Sequence, residues 1–267
     1  MKVSLIIPAY NEAKQIRANL EVLRDVRTIS EIIVVDDGSS DDLHTIVAQF
    51  SRVKIVAHDK NRGKFQAVST GVKCASSEIV AFYDADLTGM QPEYVENMIA
   101  KFKEGYDMVI MDKGSQPWIF RKLIRSLPAQ SGTRIMWKND FFAIDFGRMR
   151  SFDLEPKLTR YGLENDLRIG FVEAARVRDP RKFIKYSFLR GAYLDLRTIW
   201  QVFTCDGILG IPGVLSDMWK IEKMYQLGID RPSQIKPSPR NLAFPFIQKV
   251  KALIKRYRKI GEHPPAI

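Results

Sequence analysis

The chain has 267 residues, 45% hydrophobic and 27% charged, enough for one large domain or two interlocked halves with a full core. Its 42 basic against 31 acidic residues leave a formal net charge of +11, which points to an anionic partner: nucleic acid, a membrane surface or a phosphorylated substrate. The apolar run after Met1 is broken by Pro8, too short for a signal peptide or a span, and Cys74 and Cys205 lack the spacing of a disulfide framework or zinc site, so a cytoplasmic protein is expected.

Val3 to Ile7 is a β-branched run ending at Pro8 and predicts a buried strand, followed by the loop Pro8-Ala9-Tyr10-Asn11-Glu12 and a helix carrying Ile16, Leu20 and Leu23. Glu31 to Asp36 predicts a second strand that ends in Asp36-Asp37-Gly38-Ser39-Ser40-Asp41, whose short polar side chains suit the start of a helix from Asp42 to Phe50. Val53 to Ala57 predicts a third strand, and Asn61-Arg62-Gly63-Lys64 opens a helix through Ala67 and Gly71. Ile79 to Tyr83 is the fourth predicted strand. It runs into Asp84-Ala85-Asp86, two carboxylates that repel each other unless a cation sits between them. A hard divalent ion with its phosphates meets that need, because Mg²⁺ takes one or two carboxylates plus substrate oxygens. A helix from Pro92 to about Glu104 and a strand from Met108 to Met111 follow.

In the second half, Arg121, Lys122 and Arg125 fall on a predicted helix, and Ser131 to Trp137 reads as a further strand. Arg134 stands in that otherwise apolar strand, where an unpaired guanidinium is costly, so an anionic partner is expected for it. Tyr161-Gly162-Leu163-Glu164-Asn165-Asp166 is read as opening a helix through Phe171 and Ala175, with acidic residues complementing its dipole. A basic run follows (Arg176, Arg178, Arg181, Lys182, Lys185, Arg190), then an apolar helical stripe of Leu196, Ile199, Trp200 and Phe203. Asp206 to Gly213 reads as a break and Leu215 to Leu227 as an amphipathic helix. Arg231 to Arg240 carries Pro232, Pro237 and Pro239 and reads as a linker. Beyond it, residues 244 to 258 form a basic amphipathic pattern suited either to packing on the sheet or to lying on anionic lipid.

Apolar strands alternating with helices imply an α/β fold with a mostly parallel sheet flanked by helices, in which ligands sit outside the carboxyl ends of the strands. Three acidic loops converge at that edge: PAYNE, DDGSSD and DADLTG. Neither a Gly-x-Gly-x-x-Gly after the first strand nor a Walker loop occurs, which argues against a nicotinamide enzyme or a P-loop ATPase. An acidic cleft also argues against nucleic acid as the partner behind the +11 charge.

IIPAYNE, IIVVDDGSSDD, NRGKFQAVSTG and FYDADLTG together resemble, in order and spacing, the family-2 glycosyltransferases of GT-A (Rossmann-like) fold. The similarity is greatest to the branch of dolichyl- and polyprenyl-phosphate mannose synthases and glucosyltransferases. It implies that Pro8, Ala9, Tyr10 and Glu12 line the nucleoside pocket, that Asp36 or Asp37 accepts from the base, and that Lys64 lies near the nucleotide. Asp84 would face ribose or metal, Asp86 would bind a Mg²⁺ or Mn²⁺ bridging the diphosphate, and Ala85 would sit between them in the nucleotide site. The mannose synthases carry a Gln two positions after the second Asp; here that position is Thr88, which leaves coordination beyond Asp86 open. Ser131-Gly132-Thr133-Arg134 resembles the Ser-Gly-x-Arg segment of lipid-phosphate enzymes, with Arg134 bonding the acceptor phosphate. Glu164 or Asp166 matches the family's later carboxylate.

The resemblance thus implies an inverting, metal-dependent transferase moving a sugar from a UDP- or GDP-sugar to a polyprenyl phosphate. The alternatives are transfer to a hydroxyl of a cell-surface glycan or glycolipid, with Glu164 or Asp166 as general base, or a non-catalytic nucleotide-sugar-binding protein. The expected organisation is a nucleotide-sugar-binding half over 1–112, an acceptor-binding half over 113–228, and a Pro-containing linker with a basic amphipathic helix over 229–267. A peripheral position on the cytoplasmic membrane face is expected.

Overall fold

The computed structural model describes residues 1–113, 131–147, 153–178 and 211–235. In chain order the elements are β1 (Val3–Ala9), α1 (Ala13–Leu23), β2 (Ile29–Asp36), α2 (Leu43–Val47), β3 (Val53–Ala57), α3 (Lys64–Cys74) and β4 (Ile79–Phe82). There follow α4 (Pro92–Lys103), β5 (Met108–Lys113), β6 (Arg134–Trp137), α5 (Lys138–Ala143), α6 (Leu154–Glu164), β7 (Ile169–Ala174), α7 (Ile211–Leu227) and a 3₁₀ turn, Pro232–Gln234.

The strands form one seven-stranded sheet of order β3-β2-β1-β4-β6-β5-β7. All neighbours pair parallel except β6, which lies antiparallel to both β4 and β5. Every residue of β1 is buried, as expected of a strand covered on both faces whose sequence is apolar apart from Ser4. Its alternate side chains enter two separate cores. Leu5 and Ile7 pack with Ile16, Leu20 and Leu23 of α1, Leu43 and Val47 of α2, and Phe102 of α4. Ile6 faces the other way, toward Ala67, Val68 and Val72 of α3, Leu154 and Leu158 of α6, and Ile221 and Met224 of α7. The result is a three-layer α/β/α arrangement, and it bears out the expected sheet flanked by helices.

Two expectations are corrected. The helix expected to open at Tyr161 ends there instead: α6 runs Leu154–Glu164, and Ile169–Ala174 is a strand. Leu154, Leu158 and Leu163 form the helix's buried stripe, the chain turns at Asp166 with φ +50°, and β7 buries Ile169, Val172 and Ala174. Likewise α7 begins at Ile211, inside the expected break, with Pro212 at its start, where the missing N–H is no loss. No described helix is long and apolar enough to cross a membrane. The expected features at Arg121, Lys122 and Arg125, at 196–203 and at 244–258 lie outside the described residues.

Candidate active site at the carboxyl edge of the sheet

Parallel strands end on a common edge, and here β1, β2 and β3 stop in register at Ala9, Asp36 and Ala57. The loops that leave them are tied together. Asn11, at φ +54°, accepts from the Ser40 N–H (2.8 Å) and its own N–H donates to Ser39 Oγ (2.9 Å), while the Ala13 N–H donates to Asp41 Oδ2 (2.8 Å). This clasp leaves Tyr10 standing 47% exposed on the rim. Pro8 and Ala9 are buried members of β1, and Glu12 is half-buried at the start of α1.

Asp36 and Asp37 turn to different partners, as successive residues leaving a strand must. Asp36 accepts from the Ser39 N–H at 2.8 Å and lies 2.9 Å from His44 Nε2. Asp37 accepts from the N–H groups of Arg62 (2.9 Å) and Gly63 (2.7 Å) and meets His58 Nδ1 at 2.7 Å. Both are buried, so each shapes its loop. Asp37 thereby sets Gly63 at φ +91°, a backbone state that disfavours side chains, and Gly63 leads directly into Lys64 at the head of α3.

The Asp84-Ala85-Asp86 turn continues from β4. Two polar residues on the inner face of α1 hold it: Asn19 donates to the Ala85 carbonyl (2.8 Å) and Gln15 to that of Leu87 (2.9 Å). Ala85 is buried, so what it contributes is backbone shape. Asp84 Oδ1 lies 2.6 Å from Lys64 Nζ and its Oδ2 lies 3.4 Å from Lys113 Nζ, at the end of β5. Lys64 Nζ also meets Glu155 Oε1 of α6 at 2.6 Å. Burial alone would raise the Asp84 pKa, but Lys64 and Lys113 outweigh it and hold the carboxyl well below its ordinary range. Lys64 is the mirror case: burial opposes its charge, and Asp84 with Glu155 raises it far above the ordinary ammonium value. Gly132 closes the cluster. A Cβ there would come within 2.5 and 2.6 Å of the Asp84 oxygens and 2.7 Å of Lys64 Nζ.

Arg134 is 0% exposed, with Nε donating to the Ser131 carbonyl (2.9 Å) and Nη1 to Thr159 Oγ1 (3.2 Å). Burial lowers its pKa to about 10, against the pull of Glu155 and Asp84. The anions expected of it are therefore residues of the chain itself. In this arrangement the guanidinium expected to fork onto an acceptor phosphate bonds within the chain.

Glu164 and Asp166 are not brought to this edge. Glu164 is exposed at the far end of α6, and Asp166 accepts from the N–H (2.7 Å) and hydroxyl (2.8 Å) of Ser233, beside the amino end of β7. The carboxylate that α6 does deliver is Glu155, in its first turn, which sequence reasoning missed. Asp153-Leu154-Glu155-Pro156, acids followed by Pro, is the helix-start signal that marks it. Lys113 was missed as well. It lies two residues past the apolar run of β5, on the edge where Asp84 ends β4.

Thr88 pairs with Arg178 as a short antiparallel bridge, N–H to carbonyl in both directions (3.0 and 2.9 Å). The turn is thus fastened to the head of the basic run, where Arg176 and Arg178 are exposed. Among the described residues no three His, Cys, Asp or Glu side chains form a ready metal cage. Asp86 is partly exposed at the turn, a donor set that fits a hard cation completing its shell with water and phosphate oxygens.

The sequence model of glycosyl transferase family 2 matches residues 4–158. An undecaprenyl-phosphate 4-deoxy-4-formamido-L-arabinose transferase of Klebsiella pneumoniae is 34% identical over 134 residues, 45% of this chain and 40% of that protein. The chain thus spans about 40% of the length of the curated relatives it matches. Glucosyl-3-phosphoglycerate synthase of Mycobacterium tuberculosis, solved with Mg²⁺ and UDP, superposes with a TM-score of 0.54 at 21% identity, over 64% of this chain and 69% of that one. The same enzyme with Mn²⁺, UDP and phosphoglyceric acid gives a TM-score of 0.61 at 18% identity, over 76% and 77%. At such identities the likeness is one of fold, and that fold is GT-A.

Proposed function

Given that the chain belongs to glycosyl transferase family 2, we propose that it is an inverting transferase moving a sugar from a UDP- or GDP-sugar to a polyprenyl phosphate. The observation that carries the acceptor is the bridge between Thr88 and Arg178, which sets the exposed Arg176 and Arg178 beside the acidic turn of the donor site. The Klebsiella relative, named for an undecaprenyl phosphate, supports the same acceptor class.

In this reading the nucleoside enters over the β1–β2 edge, beside the exposed Tyr10 and the half-buried Glu12. Asp86 would hold Mg²⁺ or Mn²⁺, which would supply neutralising charge for the departing nucleoside diphosphate. A phosphate oxygen of the acceptor bonds to the anomeric carbon as the bond from that carbon to the β-phosphate oxygen breaks, inverting the centre. No proton moves, because a phosphate monoester, with its second pKa near about 6, is already largely dianionic at neutral pH. What this acceptor requires is positive charge, and Arg176 and Arg178 offer it on the exposed side of the turn. The residues 244–258 suit the peripheral contact with anionic lipid that a polyprenyl acceptor calls for.

A hydroxyl acceptor would need a base, and the carboxylate that α6 brings to this edge is Glu155. Assays pairing UDP- and GDP-sugars with a short-chain polyprenyl phosphate, the corresponding alcohol and glycan acceptors decide between the two. Transfer to the phosphate alone, with Glu155→Gln within about tenfold of wild type, is expected. Transfer only to hydroxyls, with Glu155→Gln reduced about 10²- to 10⁴-fold, would sink the lipid-phosphate reading.

A further inference from the structure

We propose that His58 is a positioning residue for the donor: its Nδ1–H fixes Asp37, and through Asp37 it fixes the loop that sets Lys64 at the donor edge. The inference rests on the reading above, in which the nucleoside diphosphate binds at this edge.

His58 follows the last residue of β3, and its backbone N–H donates to the Asp36 carbonyl at 2.8 Å. Its side chain is 5% exposed and bonded at both nitrogens, Nδ1 to Asp37 Oδ1 (2.7 Å) and Nε2 to Thr70 Oγ1 of α3 (2.9 Å). A carboxylate only accepts, so Nδ1 carries the proton, and the Thr70 hydroxyl serves Nε2 as donor or acceptor. One imidazole thus joins the end of β2, the end of β3 and the middle of α3.

Asp37 carries this hold to the donor edge. Its Oδ1 also accepts from the Arg62 N–H (2.9 Å), and its Oδ2 from the N–H of Gly63 (2.7 Å), the residue before Lys64. Lys64 in turn reaches Asp84 and Glu155, each at 2.6 Å. The loops after β2 and β3 also touch directly: a Cβ on Gly38 would come within 2.5 Å of the Lys60 carbonyl carbon. From its far side the loop after β2 is clasped to Asn11, next to Tyr10. Without the Nδ1–H, Asp37 is a buried carboxylate short of a donor, and turning to find another would release Arg62 and Gly63. The walls of the donor edge then loosen although His58 itself touches no ligand.

Asn and Gln separate the two bonds, because an Asn amide lies where Nδ1 does and a Gln amide reaches the place of Nε2. Titration calorimetry of UDP and of GDP, each with Mn²⁺, reads the outcome without any turnover. For the nucleotide that wild type binds, His58→Asn keeps a donor to Asp37 and should stay within about threefold, whereas His58→Gln keeps only Thr70 and should bind about tenfold more weakly. A merely structural role would lower the urea midpoint of both variants and leave their affinities equal. If His58→Gln does not fold, His58→Leu takes its place: Leu and Asn both lack the Thr70 bond, so their difference isolates the donor to Asp37. Equal affinities in the two variants compared, or the weaker binding in His58→Asn, would overturn the inference alone. Wild-type protein that binds neither UDP nor GDP would overturn the reading of the site and the inference with it.

Discussion

Two carboxylates at opposite edges of the sheet are both held ionised, by different means. At the amino edge, Glu31 Oε1 accepts from Ser4 Oγ (2.6 Å), the Ser76 N–H (2.7 Å) and Ser76 Oγ (2.6 Å), with Lys54 3.2 Å from Oε2. Burial would raise its pKa, but these bonds bring it down to about 2. At the carboxyl edge, Asp84 is held by the amines of two lysines on different elements. Hydroxyls and backbone amides are short donors that cannot leave, so Glu31 is a permanent staple joining β1, β2 and the start of β4. The Asp84 contacts are ionic instead, made by the ends of two long side chains. The neutral donors lie at the amino edge, where the protein needs only stability, and the ion pairs at the edge where a charged ligand would enter.

The contrast can be broken first at the carboxyl edge. Asp86→Asn should lower transfer about 10²- to 10³-fold in a steady-state assay while leaving the melting temperature unchanged or slightly raised, since an anion leaves an anionic turn. Wild-type turnover across a Mg²⁺ titration would remove the metal assignment. Gly132→Ala drives a methyl into the Asp84–Lys64 pair and should cost about 1–3 kcal/mol in urea denaturation, as overpacking does elsewhere. An unchanged midpoint would mean that the cluster yields readily.

At the amino edge the expected signature is acid sensitivity. The folded Glu31 pKa is depressed from 4.5 to about 2, so its stabilisation is full above pH 4.5 and is lost as pH falls toward 2. Glu31→Gln should remove on the order of 2 kcal/mol at neutral pH, after allowance for solvent screening, and should flatten the stability profile in that window. Activity per folded molecule should not change. If the variant follows the wild-type profile, Glu31 is not the staple it resembles. The smallest effect is reserved for Lys54→Met: the Lys54 side chain is 61% exposed, and losing its contact should cost less than about 1 kcal/mol by thermal melt.

The strands were legible because Leu5 to Ala9 of β1, Ile32 to Val35 of β2 and Ile79 to Phe82 of β4 are apolar runs, a pattern that a doubly covered sheet explains. The acidic edge followed from where those runs stop. Glu155 was marked only by the helix-start signal of Asp153 to Pro156, with which the acidic Glu164 and Asp166 compete as the mark of where a helix begins. Arg134 stood out as a guanidinium in an apolar strand, but which way a strand residue points depends on its neighbours. The antiparallel entry of β6 between β4 and β5 is a long-range event with no local signal. For Asp36 and Asp37 the sequence offered two carboxylates and one inward role, whereas both are inward, each bonded to its own loop.

That entry of β6 has a consequence for how the chain is made. β5 precedes β6 in the chain, yet β5 and β7 join β4 only through β6, so the sheet cannot close until residues 134–137 have been synthesised. Until then a nascent chain presents the outer edge of β4, Ile79–Phe82, wholly apolar and unpaired, the kind of edge that recruits other chains. A fragment ending at Lys113 is accordingly expected to sediment as aggregates, and one that remained monomeric would show the edge to be protected by other means. On the ribosome, the interval between the emergence of β4 and that of β6 is the period when this protein most needs a chaperone.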